Sequence, residues 1–256
     1  MKTKFIILGC GSSLGVPRID GFWGNCNRNN KKNLRSRCSA IIIKGSNRIL
    51  IDVSPDVKKQ LLSNNIKNIS SVIFSHEHAD QTNGLFELRP FYWKNRKKIN
   101  IYGNLNTISH LKKRQGYLFK KIKDYPPIAK TNLIKSNFSL GKHKEKILFK
   151  TVELKHGKTH CLAYIFEKTA YISDTNDLSI VKMNQFKNLN YLIIDCLKYK
   201  KHPSHFNLED SLYVHNYLKP KKTILTNLHQ DIDYSKLLKK LPKNVKPAYD
   251  GLTINL

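Results

Sequence analysis

The densest metal-ligand chemistry in the 256-residue chain is Ser75-His76-Glu77-His78-Ala79-Asp80-Gln81. It follows the apolar run Ser71–Phe74, which reads as a buried strand. His76 and His78 stand two residues apart, so an extended chain puts both imidazoles on one side, and Asp80 continues that alternation. Two imidazoles and a carboxylate suit a borderline divalent cation such as Zn²⁺, or Mn²⁺ or Fe²⁺. The alternative is a surface loop with three polar residues. The strand in front and Gly84 close behind weigh against it.

Strands must deliver these side chains. Phe5–Leu8 reads as a short apolar strand entering a Gly/Ser turn, Gly9–Gly15. Ser39–Ile43 and Arg48–Val53 read as a hairpin around Gly45-Ser46-Asn47. Ser54-Pro55-Asp56 predicts a helix start, with Ser54 as cap and Val57, Leu61 and Leu62 behind it. Ile99–Tyr102, Ile147–Leu154, Ala163–Phe166, Ala170–Ile172, Tyr191–Asp195, Thr223–Leu225 and Leu252–Leu256 are further strands, and Leu208–Leu218 has helical spacing. Hairpins come first and strands alternate with helices afterwards. The pattern predicts an α/β chain, sheets sandwiched between helices, over residues 1–256 as one domain.

Composition narrows the class. Hydrophobic residues make up 40% and charged residues 25%, which excludes a disordered or collagen-like chain. No apolar run approaches the ~18 residues of a membrane span. The five cysteines are odd in number and lack CxxC spacing, so a reducing, cytoplasmic compartment is expected. The apolar run at residues 5–8 is too short for a signal peptide. Net charge is +28, from 46 Lys+Arg against 18 Asp+Glu; only eight of the 46 are Arg. Abundant Lys, Asn and Ile together look like the imprint of AT-rich coding. What charge remains favours anionic partners. Lys112-Lys113-Arg114 and Lys120, Lys121 and Lys123 alternate with Tyr117, Phe119 and Tyr125. That stretch suits either a nucleic acid or a solvated helix whose aromatics are core.

H-x-H-x-D after a strand resembles the metallo-β-lactamase superfamily. Gly9-Cys10-Gly11-Ser12-Ser13-Leu14-Gly15-Val16-Pro17 resembles the opening of its phosphodiesterase branch, which includes phosphoribosyl cyclic phosphate phosphodiesterases and, more distantly, tRNA 3′-processing endonucleases. Trp23-Gly24-Asn25-Cys26, Arg35-Ser36-Arg37-Cys38-Ser39, Ile51-Asp52-Val53-Ser54-Pro55-Asp56, Leu88-Arg89-Pro90-Phe91 and Ala248-Tyr249-Asp250-Gly251 fit the same branch in order. The resemblance implies an αββα sandwich of two mixed sheets flanked by helices. It also implies that His76, His78 and His156 hold a first metal, that Asp174 bridges to a second, and that Asp80 serves that second site.

Two positions depart from the resemblance. Gln81 stands where the family has its next histidine, and Asn227, in Leu225-Thr226-Asn227-Leu228-His229, stands in place of a late ligand. Amides are weaker zinc ligands than imidazoles. One strong divalent site, Zn or Mn with Fe as an alternative, and a weak or absent second one are therefore expected. His229 would compensate if Asn227–His229 were extended.

The implied chemistry is hydrolysis by metal-activated water. Asp80 would orient the water or take its proton, and His205, in His202-Pro203-Ser204-His205-Phe206, would act as general acid or phosphate anchor. Ser204 or Asn207 alternatively opens a helix there. Arg89 is either a phosphate clamp or a structural ion pair. Asp52, ending a strand, would support a ligating imidazole. The expected substrate is a small phosphodiester, cyclic or linear. The alternatives are a tRNA 3′-end type endoribonuclease and a catalytically impaired metal- or ligand-binding homologue. Nucleic acid and a homodimer remain open as partners; no membrane is expected.

Overall fold

Alternation along β1 (Thr3–Gly9) sets the layering. Phe5 and Ile7 join a cluster between two sheets, while Ile6 and Leu8 face helices on the other side. A strand apolar on both faces is what a sheet covered on both sides requires. The structure, a computed structural model, describes residues 1–177 and 179–256. The same division recurs in β2 (Ser39–Lys44), with Ala40 and Ile42 against Ile41, and in β3 (Asn47–Ile51), with Ile49 and Ile51 against Leu50. These two form the expected hairpin, Ile42 opposite Ile49.

The first half continues through α1 (Val57–Ser63), β4 (Ser71–Ile73), α2 (Ala79–Thr82), α3 (Arg89–Asn95), β5 (Ile99–Gly103), α4 (Leu105–Arg114) and β6 (Ala129–Leu133). The second half contains β7 (Asn137–Leu140), β8 (Ile147–His156), β9 (Thr159–Phe166), β10 (Thr169–Ile172), α5 (Ile180–Met183), β11 (Tyr191–Asp195), α6 (Leu208–Leu218), β12 (Lys222–Thr226), α7 (Tyr234–Leu238) and β13 (Val245–Pro247). β14 (Leu252–Asn255) then returns to pair antiparallel with β1. The sheets run β14-β1-β2-β3-β4-β5-β6 and β13-β12-β11-β10-β9-β8-β7. Each mixes antiparallel and parallel pairs.

Phe5, Ile42 and Ile73 of one sheet meet Phe149, Tyr164, Phe166 and Tyr171 of the other, forming the central layer of the core. Val57, Leu61, Ile108 and Leu111 cover the first sheet's outer face; Met183, Val214, Leu218 and Leu237 cover the second's. The result is the four-layer αββα sandwich. Among the described residues, no helix is long and apolar enough to cross a membrane.

Some local expectations fail for identifiable reasons. Ser54 does not cap α1: its Oγ accepts from Asp56 N at 3.2 Å in a preceding turn, and the helix begins at Val57. Nor is the Lys112–Tyr125 stretch one solvated helix with its aromatics in the core. α4 ends at Arg114, and Tyr117 and Tyr125 are exposed, while Phe119 packs on the first outer core. Asn207 rather than Ser204 opens α6, through a reciprocal capping box with Asp210.

The strands β8, β10, β11 and β12 share one direction, as do β3 and β4. Their carboxyl ends carry or precede Asp52, His76, His156, Asp174, Asp195 and Asn227. The two sheets are joined at this edge: Leu162 N donates to Ser75 O at 2.8 Å and Tyr164 OH to Phe74 O at 2.6 Å. Ligand sites favour such strand ends.

Candidate metal centre

His76 follows β4 and is fully buried. Ser75 Oγ donates its single proton to Asp52 Oδ2 at 2.8 Å, and Asp52 Oδ1 accepts from Ser75 N at 2.7 Å. The same Oγ, 2.9 Å from His76 Nδ1, can therefore only accept from it. This tautomer leaves Nε2 with a bare lone pair, and that atom is buried without a partner in the protein. Asp52 holds its position with a left-handed φ of 59°, which Asp tolerates better than most residues. Asp52 thus acts on the imidazole through Ser75, an intermediary that sequence reading missed.

His156 ends β8, and its Nδ1 donates to the Ser204 carbonyl at 2.6 Å. Its Nε2 then presents a lone pair 3.3 Å from His78 Nδ1. Two nitrogens on a tetrahedral zinc at ~2.0–2.1 Å stand about that far apart. The ligand nitrogens of His76, His78 and His156 all lie within 4.8 Å of one another. Burial pushes the His76 imidazole down to about 3, and burial together with His156 lowers His78. Neutral imidazoles with converging lone pairs fit a divalent cation. His78 is exposed and opens the cage to a cavity of about 460 Å³. Gly157 has φ 60°, and a Cβ there would lie 2.9 Å from Ser204 Cβ, so glycine permits the approach that lets Ser204 hold His156.

Asp174 lies beside this triad. Its carboxylate is grouped both with His76 and Cys161 and with His156 and His205. Burial would raise its pKa, but His76, His205 and His156 outweigh that and lower it. Asn227 Nδ2 donates to Asp174 Oδ1 at 3.1 Å and to Ser173 O at 3.2 Å. Gln81 Nε2 donates to Asp174 Oδ2 at 3.4 Å and to Asp80 Oδ2 at 3.3 Å. Asp80 does not continue an extended alternation. The chain turns at His78 into α2, and Asp80 sits in its first turn. Burial and then Asp174 push its carboxyl up to about 6. It lines the cavity.

His205 also lines the cavity, its ring centroid 4.6 Å from that of His156. Its Nδ1 is 2.8 Å from Asp195 Oδ2 and 3.8 Å from Asp174 Oδ1. Burial alone would lower its pKa, but Asp195, Asp174 and Asp80 push it up to about 9. Burial raises Asp195 to about 6, so this pair is ionised at neutral pH. Sequence reading passed over Asp195. Its only signal was an acid ending an apolar strand, the pattern Asp52 also shows.

Three placements differ from the extended-chain or clamp expectations. Asn227 has φ 60°, so His229 does not simply follow it on one side. His229 lies at the cavity lining, with Nδ1 3.2 Å from Asp231 Oδ2, outside the imidazole cage. Arg89 does not line this cavity; its guanidinium carbon stands 3.9 Å from the Phe86 ring centroid. Lys198, His202, Ser12 and Ser13, not singled out by the sequence as site residues, complete the polar wall.

Residues 47–227 match the family described as the Beta-lactamase superfamily domain. An octanoyltransferase of Porphyromonas gingivalis (strain ATCC BAA-308 / W83) is 29% identical over 252 residues, 97% of this chain. The chain spans about half the length of that curated relative, 51%. Among solved structures, a diphosphatase of the PhnP family superposes with a TM-score of 0.91 at 27% identity, covering 100% of this chain and 98% of that one. Zn²⁺-bound PqqB from Methylobacterium extorquens shares the fold, with a TM-score of 0.78 at 14% identity over 99% and 100% of the two chains.

Proposed function

The chain belongs to the beta-lactamase superfamily, and from that premise we propose that it is a metal-dependent hydrolase of small phosphodiesters with one strong metal site. The observation that carries this reading is a cage of three imidazoles opening into the same cavity as a histidine held cationic by Asp195. His76, His78 and His156 would hold the divalent cation. Such a cation supplies Lewis acidity, acidifying water and offsetting charge on a phosphoryl oxygen.

The remaining steps belong to the protein's own groups. Asp80, ionised at neutral pH, accepts the proton of the attacking water. With Nδ1 engaged by Asp195, His205 offers Nε2–H to the phosphate and gives that proton to the oxygen that leaves phosphorus. Lys198 and His202 add positive or polar contacts on the cavity wall. With a cation held in the cage, Lys198 and His205 beside it favour a phosphoryl anion over a neutral lactam. The diphosphatase relative fits this chemistry, since a diphosphate linkage is also a phosphoryl centre bearing a leaving oxygen.

Octanoyl transfer has less support in this chain. The named relative is about twice as long as this chain, and nothing in the imidazole cage or its cavity points to an acyl substrate. RNA cleavage is the second reading, favoured by the net charge of +28.

The test combines metal analysis with turnover of bis(4-nitrophenyl) phosphate, a 2′,3′-cyclic nucleotide and a chromogenic lactam. Metal-dependent turnover of a phosphodiester without lactam hydrolysis is expected. One bound metal with no turnover of either phosphodiester would instead support the impaired binding homologue.

A further inference from the structure

The residues around Arg89 form a second cleft, of about 280 Å³, that shares no lining residue with the metal cavity. Arg89 lines it, its guanidinium carbon 3.9 Å from the Phe86 ring centroid and 5.1 Å from that of Trp93. Trp93, Tyr117, Ile122 and Tyr125 form its walls. These are large side chains left open to solvent: Tyr125 is 73% exposed and Trp93 50%. A contiguous patch of this kind, unlike a scattered apolar residue, marks a binding surface.

The surrounding charge indicates the occupant. From Phe86 to Lys130 the sequence carries twelve Lys+Arg and two acidic residues, Glu87 and Asp124. Lys120, Lys121 and Lys123 are exposed beside the cleft walls. A second copy of the chain docking here through the same face would set one strongly basic surface against another. A neutral apolar partner would leave the cations unmatched. An unpaired nucleobase meets both requirements: its flat π-face stacks on exposed aromatics and on Arg, while the flanking phosphates meet lysines.

We propose that this cleft is a stacking site for single-stranded nucleic acid, with a base held between Trp93 and Tyr125 over the Arg89 platform and the strand's phosphates on Lys120, Lys121 and Lys123. The site is independent of the reaction at the imidazole cage. Gln115, at the end of α4, nevertheless reaches the Thr82 carbonyl at 3.4 Å, joining this segment to the α2 helix that carries Asp80.

The test titrates the metal-loaded full chain with a 12-nucleotide oligothymidylate and follows tryptophan fluorescence. Trp23 and Trp93 are the only tryptophans, so Trp93→Phe assigns the signal. Trp93→Ala and Tyr125→Ala are each expected to weaken binding by at least about 5-fold, as stacking of ~1 kcal/mol or more per base requires. Turnover of bis(4-nitrophenyl) phosphate should stay unchanged, which separates this site from the hydrolase reading. Binding that rises at low salt but ignores both alanine variants would reduce the effect to bulk charge and overturn the proposal. Equal affinity for a polyglutamate of matched charge would overturn it in favour of an acidic protein partner. Self-association lost in Tyr125→Ala would assign the face to a second copy.

Discussion

Asn227 Nδ2 stands 3.1 Å from Asp174 Oδ1, and Gln81 Nε2 approaches the other oxygen of the same carboxylate. Amide N–H groups therefore occupy both oxygens of the residue that the family resemblance makes a bridge between metals. A second cation would have to displace those donors and would find no imidazole in their place. The wild-type chain is expected to bind close to one divalent cation after exhaustive dialysis. The double variant Gln81→His with Asn227→His is expected to rise towards two, read by elemental analysis per chain. Unchanged stoichiometry would mean that these amides do not limit the second site.

The imidazole cage makes a complementary prediction. His76→Ala removes the lone pair that Ser75 and Asp52 orient, and His156→Ala removes the one fixed by Ser204. Each should lose most of the bound metal while far-ultraviolet circular dichroism remains native-like. Full metal content in both variants would refute the ligand assignment.

The Asp195–His205 pair sets the alkaline limb of activity. A cationic His205 is the acid, so kcat/KM should fall as pH rises through its pKa, pushed up to about 9 in the folded protein. Asp195→Asn removes the facing charge and shifts the limb to lower pH, because less now holds the proton on the ring. The same sign applies to stability. A histidine whose folded pKa exceeds its unfolded value contributes fully below ~6.5 and loses that contribution as pH climbs through the folded value. An unshifted alkaline limb in Asp195→Asn would remove His205 from the acid role.

What the sequence discloses about the site depends on how local each contact is. His76 and His78 are legible because strand periodicity alone brings them together. Their partner His156 is 78 residues from His78, and only the family resemblance pointed to it. Asp195 went unread because an acid closing an apolar strand carries no local sign of what it faces; the contact to His205 arises only when the β11 end meets the loop before α6. Arg89 suggested a phosphate clamp or an ion pair because its charge is visible in the sequence, whereas its stacking on aromatic neighbours three and four residues away is not. The layering was more open to view. Strands such as Phe5–Leu8 and Arg48–Val53 carry apolar side chains on both faces, which leaves them no solvent side. The short strands β6, β7 and β13 escaped because sequences such as Ala129–Leu133 are half polar and owe their pairing to neighbours distant in the chain.

Gly157 tests whether holding one imidazole governs metal affinity. Alanine there meets two separate obstacles. The φ of 60° costs an L-residue roughly 1–2 kcal/mol. The new methyl would also fall 2.9 Å from Ser204 Cβ, so Ser204 must shift, and with it the carbonyl that receives the His156 proton. Gly157→Ala should therefore lower Tm, by roughly 2–4 °C per kcal/mol for a chain of about this size, and weaken metal binding. Adding Ser204→Gly removes the side-chain clash but not the backbone strain. The double variant should recover metal affinity, measured by competition with a chelating dye, while Tm stays below wild type. If Gly157→Ala kept wild-type metal affinity despite a lowered Tm, the Ser204 carbonyl would not be what aims His156 at the cation. If Ser204→Gly restored neither property, the strain at residue 157 alone would account for both losses.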